Sequence, residues 1–266
     1  MHRHPFIRRA IALASLVTVF AAQAAPTNPP NDCAGLPDSA TLETALKAAV
    51  AATNGGFGLP MWGTVVNRYG VVCAVATTAS TMDGAWLNSR VISAQKAYTA
   101  NGFSLPGLAI ASAQLFSAVQ PGGSLYGLQH SNPVDPRVVY RGDSTKYGTT
   151  TDPMLGLKPG GINVFGGGLA LYAGATKLGA VGVSGDSSCA DHNIAWRVRN
   201  ELSKVGGTVT VTNSVPAGLR TAQVGTTTQP VAVSGQGDDG IMYGSTGFQH
   251  ALCGGTEPAQ TLPALN

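Results

Sequence analysis

Two pairs of short apolar, β-branched runs constrain this chain more than any other feature. MWGTVVNRYGVVCAVATT turns at Tyr69-Gly70, and GINVFGGGLALYAGATKLGAVGVSG folds back on itself through glycine. Runs of this length broken by glycine read as hairpins. Helical stripes flank them. SATLETALKAAVAATN starts at Ser39, repeats apolar residues at Leu42, Ala45, Leu46, Ala49 and Val50, and stops at Asn54-Gly55-Gly56. WLNSRVISAQKAYTANGF sets Leu87, Val91, Ala94 and Tyr98 on one stripe. LAIASAQLFSAVQ predicts a third, short helix, and SSCADHNIAWRVRNELSK predicts a last one. The order is α-β-β-α-α-β-β-α. Strands in hairpins and helices in blocks predict an α+β fold, an antiparallel sheet with helices packed on one face.

MHRHPFIRR followed by AIALASLVTVFAAQA has the basic and apolar regions of a secretory signal peptide, with a cut expected after Ala24. No later run reaches the ~20 apolar residues of a spanning helix. The leader carries three of the 16 basic residues and none of the 13 acidic ones, so the mature charges balance. That removes the case for a nucleic-acid partner. The expected mature product is exported, periplasmic or extracellular, and its low charge leaves room for a homo-oligomer interface. Residues 25–38 read as a flexible lead. Residues 39–205 read as the domain, with a long irregular insertion at 131–158, and 206–266 as an extended tail docked on it.

Cys33, Cys73, Cys189 and Cys253 remain after cleavage. An even count in an oxidising compartment suggests two disulfides among three pairings. Cys33–Cys73 with Cys189–Cys253 is favoured, because each bond then stays near one end of the chain.

The densest chemistry lies in GVSGDSSCADHNIAWRVRNEL, Gly182 to Leu202. At 100° per residue, Ile194, Ala195, Val198, Leu202 and Val205 form an apolar stripe. Asp191 falls within it, and Ser188-x-x-Asp191 resembles a capping box. Asp191 therefore reads first as the start of the helix. His192 points elsewhere, on a side shared with Cys189, Trp196 and Arg199. A tryptophan is rarely left bare to water, so something covers this face. A Cys189–Cys253 bond would supply the tail YGSTGFQHALC as the cover and bring His250 towards His192. A neighbouring subunit is the other cover.

RVISAQKAYTANGFSLPGLA, QPGGSLYGL, GGINVFGGGLALY and GAVGVSGDSSCADHNIAWRVR together resemble the GlcG/HbpS family of haem-binding proteins, in its longer, exported branch. The resemblance spans roughly Leu42 to Leu202. It implies a two-layer profilin- or PAS-like domain, higher oligomers, and binding of haem or another small ligand. It carries over no axial ligand.

Haem iron accepts His, Tyr, Met or thiolate. With the cysteines oxidised, the candidates are His130, His192, His250, Tyr126, Tyr140 and Met154, and Arg141 or Arg199 would meet the propionates. Cys189-Ala190-Asp191-His192 lacks the second cysteine of a c-type attachment motif. A metal-dependent enzyme acting on a small carboxylate or aromatic would need His192, His250 and Asp191, with His130, to converge. HExxH, GxSxG and the P-loop are all missing from the sequence. The ranking is a haem or small-ligand binder first, a structural or oligomeric interaction subunit second, and an enzyme third.

Overall fold

The structure is a computed structural model that describes residues 32–266 apart from 225–226 and 245–246. The expected signal segment and residues 25–31 of the lead lie outside the described residues. Helix α1 (Ser39–Val50) is capped by Asp38, which accepts from the Thr41 N–H at 2.8 Å. Ser39, expected to start the helix, is its first turn and instead accepts from Val75 N–H. Strands β1 (Trp62–Asn67) and β2 (Val72–Thr77) form the first hairpin, and β3 (Gly168–Ala173) and β4 (Thr176–Ser184) the second. Between them run α2 (Asn88–Phe103) and two one-turn helices, α3 (Leu128–Ser131) and α4 (Pro136–Val139). Helix α5 (Ser188–Leu202) follows, and then a separate hairpin of β5 (Ala217–Val224) and β6 (Thr227–Gly237).

The four core strands form one antiparallel sheet in the order β2-β1-β4-β3. The α+β class and the antiparallel sheet agree with the sequence reading. The layering differs from it, because helices cover both faces. Val65, Leu169, Leu171, Val181 and Val183 point to α1 and α5, in a core with Leu42, Leu46, Ile194 and Val198. Trp62, Val66 and Ala180 point the other way, to Val91, Ala94 and Ala97 of α2. Strand alternation produces this split. The second layer rests on glycine: a side-chain carbon at Gly182 would collide with the Ser93 carbonyl, so α2 lies at backbone distance on β4.

The third expected helix is instead two 3₁₀ turns, Ser112–Leu115 and Ser117–Val119. Ser112 is committed elsewhere. Its hydroxyl donates to the Phe165 carbonyl at 2.6 Å and accepts from Gly168 N–H at 2.9 Å. Such side-chain bonds compete with a helical path.

The long insertion is folded. Val139 and Met154 are fully buried against α2. Arg90 holds the insertion to the helix. Its Nε donates to Asp152 at 2.9 Å, its Nη1 to the Val139 carbonyl at 2.6 Å, and its guanidinium lies 3.7 Å from the Tyr147 ring centroid. Both favoured disulfides are present, Cys33–Cys73 and Cys189–Cys253. No described helix is long and apolar enough to cross a membrane.

Candidate functional site

Helix α5 carries the residues singled out from the sequence, and its first turn explains Asp191. Ser187 is the N-cap, accepting from Ala190 N–H at 3.3 Å. The expected Ser188–Asp191 capping box is therefore replaced by a cap one residue earlier. Asp191 accepts from Asp186 N–H at 2.9 Å and from Lys96 Nζ at 2.6 Å. Lys96 crosses from α2 and also donates to the Val183 carbonyl at 3.1 Å. Both groups are buried. Burial pushes the Asp191 carboxyl up to about 6, with Lys96 pulling against it. Burial likewise lowers the Lys96 ammonium. This pair ties α2 to α5 across the end of the sheet.

The other side of α5 is covered by the C-terminal tail, as one of the two sequence alternatives required. Trp196 Nε1 donates to the Pro263 carbonyl at 2.8 Å, and Asn193 Nδ2 to the Glu257 carbonyl at 3.0 Å. Arg199 Nη1 donates to Asp239 at 2.6 Å, with both side chains fully buried, and its guanidinium lies 4.6 Å from the Trp196 ring centroid.

Beneath this cover lies His192, fully buried, with neither ring nitrogen hydrogen-bonded. Burial, then Arg199, His250 and Lys96, push it down to about 3, so its imidazole is neutral. His250 comes from the tail as expected. Ser188 Oγ accepts from Gly166 N–H at 2.7 Å and donates to His250 Nε2, also at 2.7 Å, because the neutral ring carries its proton on Nδ1. His250 Nδ1–H then donates to the Ala251 carbonyl at 2.7 Å. Phe116 packs against the ring, with centroids 4.8 Å apart and planes tilted by 45°, and burial lowers the pKa of His250 too.

As a metal site this region falls short. Among the described residues, the close cluster of ligating types is Cys189, His250 and Cys253, and its two sulfurs are joined as a disulfide. His192, His250 and Asp191 do not gather in this way, and both Asp191 oxygens are already bonded.

A sequence profile described as Haem degrading protein HbpS-like matches residues 38–199. The chain belongs to the HbpS-like family. Solved structures similar to it include a PduOC:heme complex, with TM-score 0.43 and 22% identity over 64% of this chain and 93% of that one. Klebsiella pneumoniae protein ORFY has TM-score 0.43 and 25% identity over 64% and 92%. A double mutant of Streptomyces reticuli HbpS has TM-score 0.40 and 17% identity over 74% and 99%. No curated protein matches the chain.

An HbpS-like chain that takes haem must offer iron an open ligand atom. The three described histidines differ on this point. His192 is sealed under the tail, and both His250 nitrogens are bonded. His130, on α3, is exposed and its ring makes no hydrogen bond. Tyr126 and Tyr140, at 63% and 58% exposure, lie on the same stretch of chain, with Arg141 exposed and without an ion pair. Met154 and Arg199, also candidates, are respectively a core side chain and half of a buried pair. Of the candidate residues, Tyr126, His130, Tyr140 and Arg141 are therefore the accessible ones, and those on the tail-covered face are enclosed.

Lys96, Arg90, Asp152 and Asp239 were missed as organising residues. Their sequence signal is a charged residue set among small ones in a helix, beside proline in the insertion, or beside glycine in the tail. Neither pattern distinguishes a buried charge from a solvated one.

Proposed function

We propose that this chain is an exported haem-binding protein of the HbpS-like family, acting in the periplasm or outside the cell in sensing, carriage or an accessory role. It takes haem on segment 126–141, with His130 as the iron ligand. The observation that carries this reading is the exposure of His130, with free ring nitrogens, in a family described by haem chemistry. Tyr126 and Tyr140 supply aromatic surface and further oxygen donors, and Arg141 a free guanidinium for a propionate. Bound haem supplies an iron centre that exchanges electrons and small ligands. Haem held on an open segment needs a cover, and a second copy of the chain provides it in a homo-oligomer. The leader and the two disulfides support export.

The test is a haem titration of the signal-cleaved protein read at the Soret band, for wild type and His130→Ala. Saturation in wild type and its loss in the variant are expected. A wild type with no saturable shift, or a variant that binds as wild type does, would overturn the proposal.

A further inference from the structure

On the edge of the sheet away from the tail lies a cleft of about 570 Å³, between the start of α1, the end of β2 with the loop that follows, and residues 144–150 of the insertion. That volume is within the range of small-molecule sites. Its walls combine two kinds of surface. Trp62, Met82 and Tyr147 are apolar or aromatic, and Arg90 holds the Tyr147 ring in place from behind. The rest is largely hydroxyl. Ser80, Thr81, Ser144 and Thr150 line the cleft with hydroxyls that make no hydrogen bond within the described residues, and Thr145 joins them with its side chain bonded to Asp143.

A second observation is independent of those surface groups. Trp62 is fully buried, and its indole Nε1–H has no acceptor. The benzene edge of the ring is the part that lies nearest residue 148, so Trp62 offers the cleft an apolar aromatic surface. The insertion comes this close because residue 148 is glycine. It has φ +76°, and a side-chain carbon there would lie 2.9 Å from Thr77 and 3.0 Å from Trp62.

Charge narrows the class of ligand. The lining contains Glu43 and no Lys, Arg or His. One Glu43 oxygen is taken by Lys47, which leaves the other free. Such a wall offers a phosphate or carboxylate, haem propionates included, no counter-charge. It matches a neutral molecule with many hydroxyls, each both donor and acceptor, and with C–H faces for the aromatic wall. We infer that this cleft is a binding site for a neutral polyhydroxylated ligand of sugar type, separate from the haem segment.

The test is calorimetric titration of the intact, signal-cleaved protein with glucose, galactose and maltose, and with glucose 6-phosphate and glucuronate as charged counterparts. Saturable heat is expected from at least one neutral sugar and from neither charged one. Trp62→Leu removes the aromatic surface and should weaken binding about fivefold or more. Because Trp62 is a core residue, the surface double variant Thr81→Val/Ser144→Ala provides a second check, with a similar loss expected. No saturation by any of the three sugars up to roughly 50 mM would overturn the inference. So would equal binding of a charged sugar, or unchanged affinity in the double variant. None of these residues belongs to segment 126–141, so the haem titration and this one fail independently.

Discussion

Arg199 and Arg141 are both guanidinium groups that the sequence offers as partners for a carboxylate, and the fold uses them in opposite ways. Arg199 is fully buried and already paired with Asp239 under the tail. Arg141 is exposed and unpaired. The histidines divide along the same line. His192 and His250 are enclosed, neutral and held among protein groups, while His130 is open. Residue type alone does not separate a structural group from an available one. What separates them here is whether the C-terminal tail has closed over them.

The largest effect expected from breaking this contrast is on the tail-covered side. Asp239→Ala would leave the Arg199 guanidinium buried without its counter-charge. A cost of about 3–5 kcal/mol is expected, read by denaturant unfolding, and a loss below about 1 kcal/mol would show that the pair is solvated. Replacing Cys189 and Cys253 together by serine should cost about 2–4 kcal/mol. The tail would still keep its bonds to Trp196, Asn193 and Arg199. A change in thermal midpoint no larger than that of a surface substitution would mean that the cover holds without its disulfide.

Acid sharpens the comparison further. His192 stands at about 3 in the folded chain against an ordinary 6.5. The unfolded chain therefore takes up a proton below pH 6.5 that the folded chain refuses. The His192 contribution is full above pH 6.5 and is lost as pH falls towards 3, by about 1 kcal/mol per pH unit. His250 acts in the same direction. Asp191, raised to about 6, acts in the opposite one, since its folded form holds a proton longer as pH rises. The clean readout is thus a difference between proteins. His192→Gln should lose about 2 kcal/mol less than wild type between pH 7 and pH 5. Equal losses would show that His192 is protonated in the folded state. The smallest effect belongs to the open segment. Tyr126→Ala and His130→Ala should leave stability within about 0.5 kcal/mol. A larger loss would mean that this surface is packed against something.

Much of this architecture is legible in the sequence because it rests on periodicity and turn chemistry. The two hairpins, α1 and α5 follow from alternation, helical stripes and glycine stops, and the two disulfides from an even cysteine count with each bond kept near one end of the chain. The part that is not legible depends on contact at backbone distance. Helix α2 buries Arg90, Ser93, Ala94, Lys96, Ala97 and Thr99. Its expected stripe member Leu87 is exposed. A face of small and charged residues looks solvated until Gly182 brings the strand against it. The same limit hid the second covered face of the sheet and the Lys96–Asp191 and Arg90–Asp152 pairs. In the site, the reading of α5 located His192 opposite a cover and His250 in that cover. The sequence could not show that the cover closes completely, because closure depends on Asp239, Glu257 and Pro263, which lie in a tail without periodicity.

The central claim is that the open segment, and not the tail-covered face, meets haem. The most direct measurement is a parallel Soret titration of His130→Ala, His192→Gln and His250→Asn, each first shown to be folded by near-ultraviolet circular dichroism. The account predicts saturable binding in the second and third and its loss in the first. Retained binding in His130→Ala, with loss in either buried-histidine variant, would contradict it and place the haem under the tail.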